Sequence, residues 1–368
     1  MKEQLALLPS LLAAHVRLVV IALSLCLLAS IPLGIAATRS PKLERLVVGA
    51  ASVVQTIPAL ALLAVMVPLL GAIGAPAIGV LPALIGLTFY CALPILMGTV
   101  TGVREVSPSI LEAARGVGMT ERQVLRIVEL PLALPFIVAG TRTAAVWCVG
   151  MATLSTPVGA PSLGNFIFSG LQTRNHAATL VGCLAAATLA LVLDGLVLAV
   201  ERGIRRRRRS SLVIGAAGLG ALVLFTFGGL LIAAASSDPR PVRVGTKPFT
   251  ESFILGHLLA AEIESTGATA TVAESLGSTV AFDALAAGDL DAYVDYSGTL
   301  WTTVLGHQDS PGSREELLQR VEAELLERHG VVVAAKLGFE NKYCLAIRNT
   351  EAKARGLRSL TDLSKVAP

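Results

Sequence analysis

The sequence predicts an all-α polytopic membrane bundle of about six transmembrane helices followed by an α/β domain, and three observations carry that prediction. Hydrophobic residues fill 54% of the 368 positions and charged residues only 15%, more apolar than a soluble core requires. Charge is divided along the chain: residues 1–240 hold 18 Lys/Arg against 9 Asp/Glu, whereas residues 241–368 hold 12 against 17. Long apolar runs give way to short alternating segments after Asp238-Pro239-Arg240-Pro241. The expected organisation is a membrane domain over 1–236, a stiff linker over 237–241, and an external domain over 242–368.

A helix needs about 20 apolar residues to cross a bilayer. Runs of that kind lie at 11–37, 46–70, 77–101, 132–156, 178–200 and 211–235. Proline interrupts two of them at three points, Ile57-Pro58, Leu81-Pro82 and Leu93-Pro94, which a helix bundle tolerates. The first run is too long for a signal-peptide core and holds Arg17 inside it, so it reads as a retained span. Arg39, Lys42 and Arg45 follow the first span, Arg115, Arg122 and Arg126 the third, and Arg202 with Arg205 to Arg209 the fifth. The positive-inside rule then places those loops in the cytoplasm, and the N-terminus and everything after about residue 236 outside.

Two ionisable residues fall within spans, Arg142 and Asp194, and an intramembrane charge invites a functional reading. Asp194 lies seven residues from Glu201 and near the arginine run, so a structural role beside a nearby cation is expected. Cys26, Cys91, Cys148 and Cys183 lie in apolar spans as small hydrophobes and Cys344 stands alone outside, so no disulfide is expected there. The histidines show no metal-ligand spacing, and no metal site is predicted. The dense basic run follows an apolar span, which suits topology rather than nucleic-acid binding.

One polar insert interrupts the apolar pattern, residues 107–131, SPSILEAARGVGMTERQVLRIVELP. Ser107 is placed to cap a helix with Pro108 in its first position, which lacks the N–H that would be unpaired there anyway. That helix should end at Gly116 or Gly118. Thr120 opens a second helix with Gln123 in capping-box register, and Leu130-Pro131 is expected to close it. This segment resembles the cytoplasmic coupling loop of binding-protein-dependent ABC importer permeases, through Glu112-Ala113-Ala114, Gly118 and Leu130-Pro131, with Val128 where that pattern has isoleucine. The resemblance implies a type I ABC importer permease fold in the inner membrane, with these residues docking on an ATPase.

The external part reads as strands at 242–247, 268–273 and 290–296, with helices at 251–264, 278–287 and 314–329 and further strands near 331–334 and 343–347. Alternation of this kind implies a largely parallel sheet wrapped by helices, with ligands beyond the carboxyl ends of its strands. Four segments fall there: Lys247-Pro248-Phe249-Thr250-Glu251, Leu276-Gly277-Ser278-Thr279, Asp295-Tyr296-Ser297-Gly298-Thr299 and Phe339-Glu340-Asn341-Lys342-Tyr343. Strand alternation puts Tyr293 and Tyr296 on opposite faces, so one of them should reach the cleft. Trp301 should be core.

These segments resemble the substrate-binding proteins of the glycine betaine, carnitine and choline importers, a family extending to ergothioneine binders. The resemblance implies a periplasmic-binding-protein-like fold and a tyrosine box around a quaternary ammonium, which attracts aromatic faces but donates no hydrogen bond. Carried over, Tyr296 and Tyr343 would form the box, Asn341, Thr279 and Ser278 would be polar neighbours, and Thr250 would meet a ligand carboxylate near backbone N–H groups. Such domains have two lobes. Residues 242–368 correspond to the first and the start of the second, so the second lobe is expected to be truncated, as in a fragment.

No GxxxxGK[ST] phosphate loop occurs, so ATP is expected to be used by a separate ATPase subunit and no cofactor by this chain. The expected assembly is a permease homodimer with two ATPase copies. An importer for amino acids, which would use an arginine clamp, and a non-transporting membrane sensor are the alternatives.

Overall fold

The computed structural model describes residues 2–233, 241–309, 312–340, 347–359 and 361–362. They form two units, residues 1–331 and 332–368. The expected linker at 237–241 lies almost wholly outside the described residues.

The membrane part begins with α1 (Lys2–Thr38), α2 (Pro41–Thr56) and α3 (Ala59–Ala72). Ser40 caps α2 by accepting from the Leu43 N–H at 3.4 Å. The run read as one span at 46–70 is a pair of helices bent by 103°. The residue before a proline is pushed out of helical geometry, and Ile57, ahead of Pro58, is extended at φ −74°, ψ 127°. The other two proline motifs do not bend their helices in this way. Pro82 and Pro94 lie in the first turns of α4 (Val80–Tyr90) and α5 (Ala92–Arg104), where no intrahelical donor is lost.

The polar insert forms α6 (Pro108–Gly116) and the single turn α7 (Glu121–Gln123). After them come a π-helical turn, Val124–Glu129, and α8 (Leu130–Ala152). A 3₁₀ segment, Thr153–Val158, leads to α9 (Gly164–Gln172), α10 (His176–Arg205) and α11 (Arg209–Ala233). Among the described residues five helices are long and apolar enough to span a membrane, six with the bent pair counted as one.

Close helix contact depends on small residues, since lipid tails give no hydrophobic drive between helices. A Cβ at Gly98 or Gly102 of α5 would stand 2.7 Å from Phe136 O or 2.8 Å from Ala133 O of α8. The intramembrane charges satisfy each other. The Arg142 guanidinium of α8 grips Asp194 of α10 in bidentate fashion, Nε to Oδ1 at 2.5 Å and Nη2 to Oδ2 at 2.8 Å. Asp194 therefore takes its cation from the neighbouring span, not from the arginine run.

The outer part carries β1 (Val242–Gly245), α12 (Thr250–Ser265), β2 (Ala270–Ala273), α13 (Ser278–Ala286), β3 (Ala292–Tyr293), α14 (Ser297–Thr299), a π-helical turn Leu300–Val304, and α15 (Arg314–His329). The three strands are parallel in the order β2-β1-β3, with Val244 opposite Val272 and Ala292. Trp301 is core, 3% exposed, with its ring stacked on His307. In the second unit, residues 332–340 take no regular structure, so the strand expected near 331–334 does not form, and α16 (Asn349–Arg355) follows. Most of the strand expected at 343–347 lies outside the described residues.

Candidate functional sites: a cytoplasmic elbow and an outer mouth

The cytoplasmic elbow is built from local rules. α6 ends in a Schellman arrangement, in which Gly118 N–H donates to Arg115 O at 2.9 Å and Met119 N–H to Ala114 O at 3.2 Å. That geometry puts Gly118 at φ +87°, a left-handed conformation natural to glycine. Arg115 then reaches across the elbow to Glu121, Nε to Oε1 at 2.9 Å, and this pairing holds the Glu121 carboxyl below its usual range. Gln123 Oε1 accepts from the Thr120 N–H at 2.8 Å and the Thr120 side chain accepts from the Gln123 backbone, the expected capping box. Ser107 stands at the N-cap of α6, but its hydroxyl bonds to that of Ser109, not to a backbone N–H.

Leu130-Pro131 does not close the second helix, contrary to expectation. The chain runs on into α8 through the π turn, where Leu130 N–H bonds to Leu125 O, five residues back. The wider turn absorbs the donor that Pro131 lacks. It also buries Glu129, 1% exposed, in an ion pair with Arg39 at the end of α1. Leu130 packs against Val103, Ala133 and Ile137. Glu112 and Ala113 are exposed and Ala114 is buried, while Val117 and Ile127 are apolar and exposed by 76% and 59%. Charged and apolar side chains are thus both exposed along this segment.

The outer mouth lies at the carboxyl edge of the sheet. Lys247, after β1, and Asp295, after β3, form an ion pair with side chains only 3% and 4% exposed. Asp295 is the hub of this edge: its Oδ2 accepts from Tyr293 Oη at 2.8 Å and its Oδ1 from the Tyr296 N–H at 2.7 Å. Burial, reinforced by that carboxylate, pushes the Tyr293 hydroxyl well above the usual tyrosine range. Tyr296 Oη donates to Glu251 Oε1 at 3.1 Å, joining the segment that contains Thr250 to the one after β3.

Because β3 ends at Tyr293, strand alternation does not govern Tyr296, which lies at the N-cap of α14. The Tyr293 hydroxyl meets Asp295, whereas the Tyr296 hydroxyl goes to Glu251. Thr250 is exposed at the start of α12; Ser278 is half-buried and Thr279 exposed in the first turn of α13. Asn341 and Tyr343 lie outside the described residues. Lys247 and Asp295 were not singled out from the sequence, although both stand in the segments that were; their pairing across 48 positions was the missing information.

The loop before Ser278 also touches the membrane part. Gly277 N–H donates to Pro157 O at 3.3 Å, and Ala77 N–H donates to Asp289 Oδ2 at 2.7 Å. Leu276, Val280, Ala281 and Ala284 belong to the same apolar cluster as Ala77 and Val158. The lobe therefore rests on the 3₁₀ segment and on the loop before α4.

Comparison with known proteins agrees with both halves. Residues 30–206 match the family described as binding-protein-dependent transport system inner membrane component, and residues 240–368 match the substrate binding domain of ABC-type glycine betaine transport system. The choline transport system permease protein OpuBB of Bacillus subtilis is 40% identical over 51% of this chain and 84% of its own length. The osmoprotectant import permease protein OsmW of Salmonella typhimurium is 39% identical over 54% of this chain and 94% of its own. The ergothioneine transport permease/ergothioneine binding protein EgtU of Helicobacter pylori is 29% identical over 92% of this chain and 62% of its own. The methionine ABC transporter MetNI, in an inward-facing form, shares the permease fold at a TM-score of 0.50 and 24% identity, over 55% of this chain and 99% of that one.

The chain belongs to the inner-membrane permease family of binding-protein-dependent ABC importers and carries a glycine-betaine-type substrate-binding domain fused behind it. It is a multi-pass inner-membrane subunit of an ATP-driven importer, with the fused domain extracytoplasmic.

Proposed function

We propose that this permease imports trimethylammonium solutes of the glycine betaine, carnitine, choline and ergothioneine class. The observation that carries the reading is the setting of Tyr296: its hydroxyl donates to Glu251 at 3.1 Å, so an aromatic ring stands beside a carboxylate at this edge. Lys247, which could have clamped an anion, is neutralised by Asp295. An edge of that kind suits a cation that cannot donate hydrogen bonds. Ser278, Thr279 and Thr250 complete the proposed contacts among the described residues. Calorimetric titration of the full chain with glycine betaine, choline, ergothioneine and methionine tests it. Tyr296→Ala should weaken binding of the quaternary ammonium compounds by about 1–2 kcal/mol, and Tyr296→Phe by much less. Equal affinity of wild type and both variants, or tighter binding of methionine, would end the proposal.

On the cytoplasmic side, Glu112, Ala113, Ala114, Gly118, Leu130 and Pro131 form the surface or the frame on which the ATPase docks. ATP is used by that separate subunit, two copies of which serve a homodimer of this chain, because a symmetric pair closes its own interface. Mass measurement of the detergent-solubilised complex should find two copies of this chain with two of the ATPase. One copy beside a different permease would contradict the arrangement.

A further inference from the structure

The turn between α10 and α11 forms a cleft of about 500 Å³ lined by Arg202, Arg206 and Arg208, the hydroxyl residues Ser210 and Ser211, and the apolar Ala199 and Ile214. Arg205 pairs with Glu201 at 3.6 Å. Arg202, Arg206 and Arg208 have no ion-pair partner among the described residues. A signal for membrane orientation requires positive charge on the cytoplasmic side but does not require it to converge. Here it converges by construction. A Cβ at Gly203 would lie 2.7 Å from the Leu212 nitrogen, and one at Gly215 would lie 2.7 Å from Leu196 O, so the two helices meet backbone to backbone beside the turn. Arg207 is held at φ +51°, a left-handed backbone that costs free energy in a residue other than glycine.

The first N–H groups of α11, a 25-residue helix, lack intrahelical partners at the same place and add a partial positive charge. Immediately below, Ile214, Ala217, Ala221 and Leu224, three or four positions apart on one face of a helix long and apolar enough to span the membrane, are exposed, Ile214 by 64% and Leu224 by 74%. The Ser211 hydroxyl donates to Ala199 O at 2.8 Å, so the cleft unites guanidinium groups and the Ser210 hydroxyl at the cytoplasmic boundary with an apolar strip running into the bilayer.

We propose that this cleft is a binding site for the phosphodiester head group of an anionic phospholipid, with an acyl chain lying along Ile214, Ala217, Ala221 and Leu224. Guanidinium groups match phosphate oxygens in geometry, and basic pockets between spanning helices on the cytoplasmic side suit such head groups. The apolar strip selects a lipid over free phosphate, which would gain nothing from it.

The test uses the full chain in detergent with phosphatidylglycerol as probe, read by native mass spectrometry and by photocrosslinking of a diazirine-labelled phosphatidylglycerol. Arg206→Gln with Arg208→Gln should reduce retained lipid roughly tenfold or more, while Lys42→Gln with Arg45→Gln, an equal loss of charge on the same membrane face, should leave it near wild type. The crosslink should map to residues 199–214 in the wild-type chain, a readout that does not depend on any variant folding. Equal losses in both double variants, retention of phosphatidylcholine as tightly as phosphatidylglycerol, or displacement of the lipid by millimolar inorganic phosphate would overturn the proposal. So would unchanged lipid retention in Arg206→Gln/Arg208→Gln with loss of the co-purifying ATPase, since the cleft would then be a protein-docking surface.

Discussion

The elbow on the cytoplasmic side and the mouth on the outer side each contain a carboxylate held by a cation, yet they differ in kind. Arg115 and Glu121 lie six positions apart and are 48% and 70% exposed. Lys247 and Asp295 lie 48 positions apart and are 3% and 4% exposed. In water the first pair gains little by staying together and can exchange partners. The second has already lost its hydration, so each member depends on the other. The first sort of pair suits a surface that exchanges partners, and the second an edge of fixed shape.

The largest effect should come from breaking the mouth. Asp295→Ala leaves Lys247 buried without a counter-charge and takes the acceptor from Tyr293, so it should cost about 3–5 kcal/mol of stability. Thermal or urea unfolding followed by the fluorescence of Trp301 in the outer part would measure it. Adding Lys247→Met to Asp295→Asn should recover most of that loss, because removing both charges removes the desolvation cost. A single variant as stable as wild type would mean that the pair is not buried as described.

The elbow should break through its backbone rather than its packing. A Cβ at Gly118 would meet nothing within 4 Å, so only the left-handed φ opposes a side chain there. Gly118→Val should cost about 1–2 kcal/mol locally and abolish solute-stimulated ATP hydrolysis and uptake in proteoliposomes, with ligand affinity unchanged. Gly118→Asn, which tolerates that conformation better, should retain a large part of the activity. If both variants transported at the wild-type rate with the subunits assembled, the elbow would not transmit closure.

The smallest effect is a pH dependence in the outer part. His307 donates to Glu324 at 2.9 Å, and with Arg328 and Arg320 it holds the Glu324 carboxyl below its ordinary value. A carboxylate depressed in the folded state contributes stability that is present above the unfolded pKa, about 4.3, and is lost as pH falls through the lower folded value. Glu324→Gln should therefore lower the melting temperature slightly at pH 7 and leave it unaltered relative to wild type near pH 3. A difference that persists at low pH would assign the effect to packing instead.

Much of the elbow was legible from the sequence because its determinants act within a few residues. Pro108 in the first turn, Thr120 with Gln123, and Gly118 at the left-handed position each state their geometry locally. Ile57-Pro58 likewise announced an interruption, though not that the chain would turn by 103° there. Leu130-Pro131 misled for a reason of the same scale: a proline ends a regular α-helix, but a π turn before it makes the missing donor harmless. The order of strands and helices in the outer part followed from hydropathy alternation, and the strand expected near 331–334 shows where alternation without a pairing partner was insufficient.

The sequence by itself determined where most of the long apolar helices lie and where the chain changes from an apolar bundle to a parallel α/β domain, because length, charge and periodicity are properties of consecutive residues. Only the tertiary structure decided that Arg142 would neutralise Asp194, that Arg39 would reach buried Glu129, that Tyr296 would reach Glu251, and that Gly277 would rest on Pro157. The partners in those pairs stand between 45 and 120 positions apart. A buried charge requires a counter-charge, but its own neighbours in the chain do not specify which one. That choice is made when packed helices and strands bring distant side chains within hydrogen-bonding distance.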